Sequence, residues 1–109
     1  MTAPRSPVPG EVSAELRRVV ERWHQLPLDH ALLCGPAVRV LVQALAAEAS
    51  VSRGGDPGAA SLVPDLGPAV LMDQLSVIVH DWCASGSTEQ AGQLVPRLAQ
   101  VRRALTARG

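Results

Sequence analysis

The chain has 109 residues, enough for one hydrophobic core but not two, and its ten acidic residues balance ten arginines to a net charge of zero. With 47% apolar residues and a mean hydropathy of +0.14, it lies outside the ranges of disordered, collagen-like and disulfide-stapled chains. No apolar run approaches the roughly 20 residues of a spanning helix, and the opening MTAPRSPVPG lacks the continuous apolar stretch of a signal peptide, so the expectation is a cytoplasmic protein with no membrane partner.

Residues 1–10, with Pro4, Pro7, Pro9 and Gly10, read as a flexible leader to a single bundle domain over 11–109. A first helix is expected from Glu11 to Gln25, where Val12, Leu16, Val19, Val20 and Trp23 recur at helical spacing and charged residues fill the other side. Pro27 disfavours helical geometry at Leu26 and closes it. A short helical turn from Leu28 to Cys34, ended by Gly35, precedes a second helix from Pro36 to Ser50, because proline at a first helical position sacrifices only an N–H that has no partner there.

Residues 51–63, rich in glycine and serine and holding Pro57, read as a flexible loop. Asp65 or Gly67 caps a third helix, Pro68 to Ser85, which stops at Gly86. Ser87 and Gln90 have capping-box spacing and open a fourth helix towards Arg108. Pro96 inside that pattern kinks it or restarts it near Leu94, after which Leu94, Leu98, Val101 and Leu105 form a bundle seam. The fold class is therefore all-α: a compact four-helix bundle with an additional short helical turn between helices 1 and 2.

The tetrapeptide Gly-Pro-Ala-Val occurs at 35–38 and at 67–70, each time at an expected helix start. It reads either as the trace of a duplicated helical hairpin or as one solution to a helix start used twice. The core must be assembled without Phe or Tyr, from 14 Leu, 14 Val and 16 Ala with Trp23, Trp82, Ile78 and two Met. The absence of Lys among the basic residues, with the excess of Ala, Val and Gly, reads as the codon bias of a GC-rich genome.

Helix 2 places Val38, Leu41, Val42, Leu45 and Ala49 on one arc, yet Val40, Ala44 and Ala47 continue the apolar surface round it. Helix 3 has its main face at Leu71, Leu75, Ile78 and Trp82, widened by Met72, Val79 and Cys83, with Val70 and Val77 on the far side. Helices apolar almost all round are buried ones, and four helices cannot fully enclose two of their own. Self-association, most simply as a twofold homodimer, covers the surplus, and a different protein partner is the other candidate. The expected interaction surface is Val40, Ala44, Val70 and Val77, with Arg97 and Arg102 as rim contacts that pair with acids such as Asp73 or Asp81.

The alternative is a metal or small-ligand site. His30 and Cys34 lie at i, i+4 and His80 and Cys83 at i, i+3, so a pair from each of two helices would complete a tetrahedral zinc site; otherwise both thiols are small buried hydrophobes and no cofactor is expected. A disulfide between them is disfavoured in a reducing compartment. Residues 53–58 lack the spaced glycines and lysine of a phosphate loop, and His24 at the edge of helix 1 is a weak general base, so no enzyme is expected. Nucleic acid is not a favoured partner either: Arg97, Arg102 and Arg103 point to different sides of helix 4, and PAVRVLVQALA is too apolar to read a groove. No motif is specific enough to name a family.

Overall fold

The computed structural model describes residues 8–52, 54, 63–86 and 88–106. The leader up to residue 7, most of the 51–63 loop, Ser87 of the expected capping pair and Arg108 lie outside the described residues. The helices are α1 (Gly10–Gln25), α2 (Leu28–Ser52), α3 (Pro68–Ser85), the five-residue α4 (Thr88–Gly92) and α5 (Leu94–Thr106). The all-α bundle expected from the periodicity is the observed architecture.

Local chemistry explains most boundaries. Leu26, before Pro27, is extended with ψ 138°, and its N–H donates to the Trp23 carbonyl at 3.1 Å, which closes α1. Gly67 has φ +91°, a conformation that a side chain strains, and its N–H donates to Asp65 Oδ1 at 3.0 Å, so an Asx turn delivers Pro68 to the first position of α3. Gly92 ends α4, Gln93 makes the turn, and Pro96 falls in the first turn of α5, where a missing N–H costs nothing. Gly86 stops α3 in extended geometry rather than as a left-handed cap; a Cβ there would meet Gln90 Oε1 at 2.9 Å.

The main departure is at Gly35-Pro36. The chain does not break there: the expected short turn and helix 2 are one 25-residue helix with Pro36 inside it. Ala31 and Val38, seven residues apart across the proline, are both buried on the same side, so docking of one continuous face holds the helix together through a residue that opposes it. The two Gly-Pro-Ala-Val copies are therefore not equivalent, one lying within a helix and one starting a helix. Fusing the two pieces makes α2 longer and more apolar than either expected piece, although Arg39 and Glu48 interrupt the run. An 18-residue window of α2 has a mean hydropathy of 1.5, which by length and composition alone is enough to cross a membrane.

Helix directions follow from the contacts. Arg39 of α2 reaches the carbonyls of Val63 and Pro64 just before α3, while Glu48 meets Trp82 near the end of α3, so α2 and α3 run parallel. Glu11 lies beside Gly92 and Glu15 bonds Arg102, so α1 and α5 are also parallel. Glu48 bonds Arg97 near the start of α5, and the groove between the helices continues through the earlier Ala37–Ala44 of α2 and the later Gln100–Ala104 of α5, so that pair is antiparallel. The bundle is thus up-down-down-up. Parallel neighbours cannot be joined by a tight turn, and this accounts for the long connection between α2 and α3.

One core unites the helices. Val12, Val19 and Trp23 of α1 meet Val38, Leu41, Val42 and Leu45 of α2, Leu71, Leu75 and Val79 of α3, and Leu94, Leu98, Val101 and Leu105 of α5. The expected α5 seam is buried in full. On α3 the buried face is turned from the expected arc: Val79 and Cys83 lie inside, while Ile78 and Trp82 are half-buried at its margin.

Candidate interaction surface

Helix α2 is apolar on two opposite sides. Val38, Leu41, Val42, Leu45 and Ala49 face the core. Away from it, Leu33, Ala37, Val40, Ala44, Ala47 and Val51 form a second row with spacings of four, three, four, three and four residues. Leu33 is 79% exposed, Val40 70% and Val51 52%, so this row is a partly open seam of coiled-coil periodicity, bordered by α5 along Ala37, Val40 and Ala44 and by Trp82 at Ala47 and Val51. It contains no charge. The break assumed at Gly35 hid Leu33 and Ala37 from the sequence reading, which found only Val40 and Ala44 of this row.

The polar side chains beside the seam are spent on holding the helix. Glu48 receives both Arg97 guanidinium nitrogens, at 2.7 and 3.0 Å, and the Trp82 indole N–H at 3.0 Å, so one carboxylate ties α2, α3 and α5. The Arg97 hydrogen bonds hold the Glu48 carboxyl below its ordinary range; partial burial opposes them, and the Trp82 bond and the arginine charge assist. Arg97 lines the same groove as Val40 and Ala44.

Arg102 stands elsewhere. Its Nε donates to Glu15 Oε1 at 2.7 Å across the α1–α5 contact, and Arg18 donates to Glu15 Oε2 at 2.9 Å. Both arginines thus pair with glutamates rather than with Asp73 or Asp81. Glu15 is only 3% exposed, although its charge placed it among the polar residues of helix 1. Its position, three after Val12 and four before Val19, is the sequence signal for that burial. Burial pushes its carboxyl up, but the Arg102 and Arg18 hydrogen bonds and charges outweigh this and hold it below the ordinary value.

Val70 and Val77 belong to a different surface. They line an apolar groove of about 390 Å³ between α3 and the segment 63–66, together with Leu66 and Ile78. Val77 is 64% exposed and Val70 half-buried. The segment is fastened, not loose: the Gln43 amide donates to the Val63 carbonyl at 2.7 Å and accepts the Val63 N–H at 3.1 Å, and Gln74 Nε2 donates to the Pro64 carbonyl at 2.9 Å. Arg39 adds longer bonds to the same carbonyls. The expected single patch of Val40, Ala44, Val70 and Val77 is therefore two grooves on opposite sides of α2.

The histidine and cysteine pairs do not converge. Among the described residues no three His, Cys, Asp or Glu side chains gather in a way that could hold a metal, so His30, Cys34, His80 and Cys83 do not make one four-ligand centre. Cys83 is buried beneath α3 while His80, three residues earlier, is exposed. Burial pushes the Cys83 thiol above its ordinary value, as for a small hydrophobe in the core. His30 keeps a buried Nε2 without a hydrogen-bond partner, and Cys34 is half-buried.

Compared with family models, with curated proteins and with solved structures, the chain matches none of them.

Proposed function

We propose that this chain is a small, non-enzymatic interaction or regulatory bundle that self-associates through the outer face of α2. The observation that carries this reading is the uncharged row from Leu33 to Val51 on the side of α2 away from its core face, in which Leu33, Ala37, Val40 and Val51 are exposed and Ala44 and Ala47 half-buried. An amphipathic helix serving only its own fold would present polar residues there. The conspicuous carboxylates, Glu15 and Glu48, are each held ionised by arginine, which suits fastening helices rather than moving protons near neutral pH.

The test is oligomeric state by native mass spectrometry and sedimentation, for the wild type, Val40→Asp and Val77→Asp. The expected result is a dimer that Val40→Asp dissociates while its helicity is retained, because an unpaired carboxylate in an apolar contact is costly. Val77→Asp leaves it intact. A dimer lost with Val77→Asp and kept with Val40→Asp moves the interface to the α3 groove; a monomer at every concentration ends the self-association reading.

A further inference from the structure

We infer that the occupant of the α2 seam is the same seam of a second copy, laid antiparallel across a twofold axis at the level of Val42. This rests on the self-association proposed above and adds its geometry. The row pairs with itself when reversed: Leu33 falls opposite Val51, Ala37 opposite Ala47, and Val40 opposite Ala44. In that register the four central layers contain only Ala with Ala or Ala with Val, so the helix axes approach closely, and Leu against Val fills each end where the helices diverge. A parallel pairing would instead stack Leu on Leu, Val on Val and Ala on Ala, leaving layers of unequal width along one seam.

The absence of charge suits this occupant, and the seam reaches interface size only together with the α5 rim beside it. No charge stands in the row, and Glu48 beside it is neutralised within its own chain by Arg97. Antiparallel packing also sets the two helix dipoles in opposition. From Leu33 to Val51 the seam rises ~27 Å along the helix, and supplies on the order of half the ~800 Å² that each partner buries in a standard interface. The α5 rim at Gln100 and Ala104 borders the same groove and extends it. The product is a dimer whose population rises with concentration. Lipid is the weaker occupant: Arg39, Gln43 and Glu48 are all bonded to other parts of the bundle, so α2 would have to leave its core to enter a bilayer.

Cysteine cross-linking tests the register. In a Cys34→Ser, Cys83→Ala background, Leu33→Cys and Val51→Cys are made singly, at exposed positions where folding is checked by circular dichroism, then oxidised alone and as a mixture. Antiparallel pairing gives a cross-linked heterodimer in the mixture, several-fold above either protein alone. If each variant cross-links with itself and the mixture adds nothing, the pairing is parallel and the inference fails, because residue 33 of one copy is then ~27 Å from residue 51 of the other. A dimer by native mass without any cross-link refutes this register while sparing self-association, and dissociation by Val40→Asp then decides whether the interface is still on α2. A monomer throughout refutes both, and flotation of that monomer with phospholipid vesicles identifies lipid as the occupant.

Discussion

Replacing Gly35 and Pro36 together by alanine is expected to stabilise the protein. Both residues lie inside α2, where glycine costs about 0.5–1 kcal/mol relative to alanine and proline about 3. A Cβ added at Gly35 meets nothing within 4 Å, and Pro36 is exposed, so neither replacement strains its surroundings. The unfolded chain regains freedom when proline is removed, which offsets about 0.4–1 kcal/mol. The net gain is about 2.5–3.5 kcal/mol, and at roughly 4 °C per kcal/mol for a domain of this size it raises Tm by about 10–14 °C. Thermal melts followed by circular dichroism and urea midpoints measure the gain. Amide exchange adds a local readout, since the N–H created at position 36 should be protected by the Leu32 carbonyl. An unchanged or lowered Tm with fast exchange at 36 would show that the helix breaks there after all, and the continuous outer row of α2 would fall with it.

Stability should decline in acid. The Glu15 and Glu48 carboxyls are both held below the ordinary value of 4.5 in the folded state, so their contribution is present above that value and is lost as pH falls through the folded one. Urea midpoints for the wild type should drop below about pH 4.5, with a shallower slope for Glu15→Gln; parallel slopes would detach Glu15 from this effect. Gln43→Ala should cost about 1–2 kcal/mol, because it removes two half-buried hydrogen bonds and strands the Val63 N–H. Its signature is faster amide exchange at Val63, and unchanged exchange there would mean that the segment is held by other groups.

The seam residues Leu94, Leu98, Val101 and Leu105 were legible because a regular apolar period on an Arg-rich helix has only one face to bury. The start of α3 was equally legible, since Asp65, Gly67 and Pro68 each carry a local conformational preference pointing the same way. Gly35-Pro36 misled for the same kind of reason: its local preference is to end a helix, and only the tertiary docking of Ala31 and Val38 reverses it. Glu15 was hidden by its charge, because the arginine that makes its burial tolerable lies 87 residues away. The split of Val40 and Ala44 from Val70 and Val77 was also out of reach. Each helix revealed its own second apolar side, but which sides share a surface depends on the parallel arrangement of α2 and α3, and that is set by the return of the chain through residues 63–67.

The bundle's poverty in aromatic residues makes it its own optical instrument. With no Tyr or Phe, near-ultraviolet absorption and emission come from Trp23 and Trp82 alone, and the fold has put them in different places. Trp23, 6% exposed on α1, reports on closure of the core. Trp82, half-buried and bonded to Glu48, borders a cleft with Ala47 and Val51 at one end of the α2 row. Changing either one to Phe leaves a single fluorophore, so folding and docking become separable colours in the unlabelled protein.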